Sequence, residues 1–150
     1  MLKPKIISEI LNQALSSSIN TAILFSQEGS LLSYATNKYN NIGSPILVSL
    51  KDPSEPSKMI AAISSNVWSV YRNNCSLWFV NPQNQAQAKD DSLNMIFLDC
   101  EEGKVIISQA GKLLIALVGN NDTEIGLLKM KMTTLVNYFY NSLQYVGNDN

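Results

Sequence analysis

Histidine is absent from this 150-residue chain. That removes the commonest general base, the commonest metal ligand and the side chain that titrates closest to neutral pH. Cysteine occurs twice, at Cys75 and Cys100, without the C-x-x-C spacing of a zinc or redox site. Two isolated cysteines, with no other mark of secretion, read as free thiols. Charge is scarce: 15% of residues are charged and the formal net charge is −1. That balance leaves no electrostatic footprint for nucleic acid or an anionic membrane. So low a charge content implies surface given over to another protein rather than to water. No apolar run approaches the roughly 18–20 residues that cross a bilayer, so direct membrane insertion is not expected. The start, Met1-Leu-Lys-Pro-Lys, lacks the long apolar core of a signal peptide, no glycine follows Met1 and no C-a-a-X box is present. Neither a leader nor a lipid anchor is therefore expected.

The machinery of catalysis is missing too. Gly111-Lys112 lacks the upstream glycine and the following Ser/Thr of a phosphate-binding loop, and no serine lies in a G-x-S-x-G elbow. Asp99, Glu101 and Glu102 sit together, and Asp90 and Asp91 are adjacent. A working carboxylate pair needs two acids converging across a cleft, whereas neighbours in a turn diverge into water. Arg72 is the only arginine. Its place near a helix end reads as a favourable contact with the helix dipole rather than as a donor to phosphate. The expectation is a protein that is not an enzyme, with no cofactor and no metal.

What the chain does have is periodic apolar sequence. Pro4 suits a first helical turn, and Ile7, Ile10, Leu11, Ala14 and Leu15 follow one helical face until Ser16-Ser-Ser. Thr21–Phe25 and Leu31–Thr36 read as strands joined by Gln27-Glu-Gly-Ser, with Gly29 holding a positive φ. A long loop spans about 37–56. A helix is expected from about Lys58 to Arg72, starting after Pro56 because a proline forfeits a bond in the helix. Ile60, Ile63, Val67, Val70 and Tyr71 supply one face of it, widened by Met59, Ala62 and Trp68. A second loop spans about 73–91, with an apolar Leu77-Trp-Phe-Val inside it. Strands at 93–99, 104–109 and 112–118 follow, joined by turns short enough to make them antiparallel neighbours. Leu113-Leu-Ile-Ala-Leu-Val has no polar alternation, which marks a central strand buried on both faces. Asp122 or Thr123 is expected to cap a last helix whose stripe is Ile125, Leu128, Met132, Leu135, Val136, Phe139 and Leu143.

The order is αββαβββα. A two-sided sheet needs helices on both faces, so the expected class is α+β: a single α/β/α sandwich over residues 1–150, around a five-stranded antiparallel sheet. Two features point outward. The strand beginning at Leu93 opens a meander and falls at a sheet edge, with Met95 and Phe97 on an uncharged rim. The middle helix offers more apolar surface than one sheet face can bury, and Trp68 and Tyr71 are types that dominate interfaces. Two readings stand open: both elements pack internally, or a partner covers them.

Several segments resemble the roadblock/dynein-light-chain family, and within it the roadblock subunit of Ragulator-type scaffolds. They are Leu2-Lys-Pro-Lys, Gln27-Glu-Gly-Ser-Leu-Leu-Ser-Tyr and Ala62-Ile-Ser-Ser-Asn-Val-Trp-Ser-Val-Tyr, then Asp99-Cys-Glu-Glu-Gly-Lys-Val, Lys112-Leu-Leu and Gly126-Leu-Leu-Lys-Met-Lys. Each is short, and together they cover most of the chain in order. Both long loops depart from the relatives. The resemblance implies pairing with a second roadblock-fold subunit through the middle helix and the first meander strand. The partner-binding residues would be Met59, Ile63, Val67, Trp68, Tyr71, Met95 and Phe97. It further implies a lipidated Ragulator scaffold subunit around the pair and a Rag GTPase heterodimer bound to it. The site of action would be the cytoplasmic face of a late endosome, lysosome or vacuole, reached through partners, in TOR nutrient signalling. The alternatives are a homodimeric dynein-light-chain adaptor, a small-molecule sensor of PAS or GAF type, and a catalytic GTPase regulator.

Overall fold

The computed structural model describes residues 3–37, 54–78 and 93–147, without the side chains of 75–78 and 143–147. The readings made for most of both long loops, for Phe79 and Val80 and for the side chains of Cys75, Leu77, Trp78 and Leu143 lie outside the described residues; the backbone of 73–78, expected as loop, is helical.

Helix α1 runs Pro4–Ala14, with proline in its first turn, where the missing N–H has no intrahelical partner to lose. Its buried stripe is Ile10, Leu11 and Ala14, and Ile7 and Leu15 pack beside it. Beyond Leu15 the hydroxyl of Ser16 accepts the Ile19 N–H at 3.2 Å and turns the chain into β1, Ile19–Ser26. A tight turn leads to β2, Leu31–Thr36. Gly29 holds φ +93° there, and the Ser26 carbonyl accepts its N–H at 3.0 Å.

Helix α2 spans Glu55–Trp78, longer at both ends than the apolar spacing predicts. Pro56 lies inside the first turn, and helical bonding begins with the Lys58 N–H to the Ser54 carbonyl at 3.0 Å. The proline therefore forfeits nothing, which is why the expected later start is wrong. Arg72 consequently lies well inside the helix. It donates to Gln27 Oε1 at 2.8 Å and ties α2 to the β1–β2 turn, in place of the expected contact with the helix end.

The meander is β3, Met95–Cys100, β4, Gly103–Ala110, and β5, Leu113–Gly119. The five strands form one antiparallel sheet in the order β2-β1-β5-β4-β3. The long-range seam is β1 with β5, where Ala22 faces Leu117, Ile23 faces Ala116 and Leu24 faces Ile115. As expected, β5 is central and buried on both faces. Helix α3, Ile125–Gly147, closes the chain. Neither expected cap forms a typical helix cap: the Thr123 hydroxyl instead donates to the Ser18 carbonyl at 2.9 Å, locking the approach to α3 against the start of β1. Ile125, expected in the buried stripe, is exposed, whereas Leu128, Met132, Leu135 and Phe139 are buried.

Two cores flank the sheet. On one face Ile10, Leu11, Leu24, Ile115, Leu117, Met132 and Phe139 join α1 and α3 to the strands. On the other Ile23, Phe25, Ile107, Leu114 and Ala116 meet α2 through Ala61 and Trp68. The described elements make the expected α/β/α sandwich.

The face that α2 turns to the sheet is made mostly of small residues. Its buried residues are Ser57, Ala61, Ser64, Ser65 and Trp68. Small side chains let the helix lie close to the sheet, and the large apolar ones are turned outward. A Cβ added to Gly29 would stand 2.8 Å from Ser65 Oγ and 3.3 Å from the Ala62 Cα. Trp68, expected on the outer surface, is 2% exposed and is the one large knob on the inner face.

Trp68→Ala should cost about 3–5 kcal/mol of stability in urea denaturation, the usual range for a buried large aromatic. Ile63→Asp on the outer face should stay within about 0.5 kcal/mol of wild type, as surface changes do. Gly29→Ala should cost about 1–2 kcal/mol, from left-handed strain and crowding at Ser65. Combining it with Ser65→Ala should return part of that loss, and equal stability of Gly29→Ala and wild type would contradict the close approach.

Candidate functional site

The outward side of α2 carries Met59, Ile63 and Val70, which are 56%, 58% and 58% exposed. Their spacing of four and seven residues stacks them on one side of a 3.6-residue helix, with Asn66 between. Tyr71 is exposed, and Ile60 and Val67 are half-buried on the flank. Gly29 and Gln27 meet α2 through Ser65 and Arg72, on the flank towards the β1–β2 turn. Ile60, Val67 and Tyr71 lie on the opposite flank by the helical repeat, towards β4 and β3. Val105 and Leu98 on those strands are themselves only half-buried, and they belong to the same core as Ile60 and Val67. Helix flank and strand surface thus form one apolar trough.

The trough ends at β3, the edge of the sheet, which pairs with β4 alone. Met95-Ile-Phe-Leu carries no charge and no proline, and its register with β4 runs without a bulge. These are the devices that ordinarily blunt an edge, and 95–98 has none of them. Phe97 is 41% exposed and Met95 is half-buried against the core beneath α3.

Of the seven residues expected to meet a partner, Met59, Ile63, Tyr71 and Phe97 are therefore exposed, and Val67 and Met95 are half-buried. Trp68 is a correction: it is enclosed by the core and presents no surface, because the large indole fills a contact that the serines and alanine of the inner face leave open. Val70 belongs to the outer stripe although the expected set omits it, and its helical spacing from Met59 and Ile63 is the sequence signal for it. On the other side of the sheet, α3 packs across β4 and β5 and leaves β3 largely uncovered. The result is a groove of about 640 Å³ lined by Met95, Phe97, Lys129, Val136 and Tyr140 among others. Nothing in the apolar stripe of α3 announces it, although Tyr140 falls outside that stripe.

Chemistry has little to build on here. Asp99, Glu101 and Glu102 are all exposed, around the β3–β4 turn. Among the described residues no group of three or more His, Cys, Asp or Glu converges on a metal position.

No family model matches the chain. An uncharacterised protein of Schizosaccharomyces pombe is 25% identical over 161 residues, covering 98% of each chain. Among solved structures, a Roadblock/LC7 domain from Streptomyces avermitilis superposes with a TM-score of 0.66 at 14% identity, over 91% of this chain and 97% of that one. MglB in a tetrameric arrangement superposes with a TM-score of 0.69 at 13% identity, over 94% and 90%. Its sheet, the three helices of the described residues and this likeness together give the chain the fold of the Roadblock/LC7 domains.

Proposed function

We propose that this chain is a non-catalytic scaffold subunit that pairs with a second roadblock-fold protein. The partner's strand extends the sheet at β3, and its helix enters the trough beside α2. The observation that carries this reading is the seating of α2, with small residues inward and Met59, Ile63 and Val70 outward, beside an unblunted apolar edge. A helix buries its larger apolar side chains wherever it can. Turning them to water costs stability unless another protein covers them. A stable pair would bury roughly 1,200–2,000 Å² in total.

The finer reading is a Ragulator-type assembly. In it the pair is wrapped by a lipidated scaffold subunit and helps tether a Rag GTPase heterodimer to the lysosomal or vacuolar membrane for TOR signalling. The resemblance of the segments at 27–34, 62–71, 99–105 and 126–131 supports it. Anchoring through a partner suits a chain in which no described helix is long and apolar enough to cross a membrane. The homodimeric adaptor rests on the same exposed surface and differs in the identity of the partner.

Affinity purification from the native cell is expected to recover one roadblock-fold companion in equal amount, with an acylated scaffold and two Rag GTPases. A symmetric dimer of this chain as the sole product would favour the homodimeric adaptor instead. Within the recovered pair, Ile63→Asp together with Phe97→Asp should weaken association by at least about 30-fold, two central anchors being lost. Light scattering at micromolar concentration reads this as a fall to single-chain mass, with melting of the separated chain unchanged. GTP hydrolysis by the Rag proteins should be unaffected by the pair, and an acceleration would reopen a catalytic role.

A further inference from the structure

The edge strand β3 is apolar over 95–98 and acidic where it ends. We infer that the acidic end sets the choice of partner. It disfavours a second copy of this chain and selects a companion with lysine or arginine just ahead of its own edge strand. The inference rests on the pairing proposed above and gives that partner its chemistry. Asp99, Glu101 and Glu102 are all exposed at this end. The turn that carries them is pinned by Asn121, whose Nδ2 donates to the Glu101 carbonyl at 2.8 Å. Lys104 is the register partner of Asp99 on β4, but its Nζ donates to the Thr123 carbonyl at 2.9 Å. Among the described residues none of the three carboxylates takes part in an ion pair.

A second copy meets this end unfavourably in any register that keeps the apolar positions together. In an antiparallel pair, residues that face one another lie on the same side of the sheet. Met95 and Phe97 share one side, and Ile96 and Leu98 share the other. A two-fold axis between copies therefore passes through a residue, Ile96 or Phe97. With the axis at Ile96, Asp99 faces Leu93 of the second copy; with the axis at Phe97, Leu93 falls two positions beyond. Asp91 and Asp90 precede Leu93 by two and three residues. The chain holds them within roughly 7 and 11 Å of it, whatever their conformation. Each end of a self-pair thus sets Asp99, Glu101 and Glu102 near two more aspartates, against which Lys89 returns a single charge. Like charges brought together across strands oppose pairing, and opposite charges there favour it. A companion with a basic approach to its edge strand turns the same contact into attraction.

The test follows self-association of the purified full chain by analytical ultracentrifugation in 0.1 M and 1 M NaCl, between which the screening length falls from about 10 to about 3 Å. Wild type is expected to self-associate weakly, and more in high salt than in low. Glu101→Lys with Glu102→Lys should tighten self-association roughly tenfold in low salt, and so should Asp90→Lys with Asp91→Lys. The variant carrying all four substitutions sets lysine against lysine and should return to wild-type weakness, which a merely structural effect would not do. With the copurified companion the order inverts: Glu101→Lys with Glu102→Lys should loosen that pair roughly tenfold, and the wild-type pair should weaken as salt rises. Wild type that self-associates as tightly as either double variant overturns the inference. So does a companion that binds wild type and carries net negative charge ahead of its edge strand. A companion whose binding ignores Phe97→Asp with Ile63→Asp overturns the pairing reading instead, and this inference with it.

Discussion

Everything in this fold hangs on the seam between β1 and β5. It joins a hairpin near the start of the chain to a meander near its end, and both of its strands are buried on both faces. A strand of that kind cannot sit at a solvent-facing sheet, so the seam demands a helical layer above and below. Helices α1 and α3 meet one side. Among the described elements only α2 meets the other, and one helix cannot cover five strands. The half-buried Val105 and Leu98 are what is left over, and they lie beside the edge.

The way α2 is seated turns that shortage into a surface. Ser57, Ala61, Ser64 and Ser65 are buried with little bulk, and the turn at Gly29 comes close to Ser65 and the Ala62 backbone. Trp68 is the exception, a large knob whose indole N–H finds no partner among the described residues. Burying that donor without a bond works against the gain from burying the ring. The helix is thus held by close fit at one flank and by one aromatic side chain, while its other flank stays open.

Much of this architecture was legible in the residues. The unbroken apolar run Leu113–Val118 announced a two-sided central strand, the short turns announced the meander, and Gly29 announced its own turn. The orientation of α2 was not legible, because counting apolar positions identifies a greasy face without saying whether the sheet or a partner takes it. Close helix–sheet approach favours small residues, and a run of serines reads as polar surface when it is in fact the contact. Trp68 was misplaced for the same reason, being assigned to the surface by residue type. Pro56 and Thr123 misled locally: a proline in the first turn is harmless, and a threonine before a helix spent its hydroxyl on Ser18 instead. The groove beneath α3 depended on which strands that helix crosses, which no spacing within the helix reveals.

The bare rim of β3 carries a consequence for the cell that makes this chain. Four uncharged residues with open backbone groups will recruit any compatible strand, including another copy of themselves. Molecules whose rim stays bare are then a hazard of clumping. If a companion covers the rim as proposed, synthesis out of step would leave the surplus to chaperones and proteases, and abundance of the two proteins would rise and fall together.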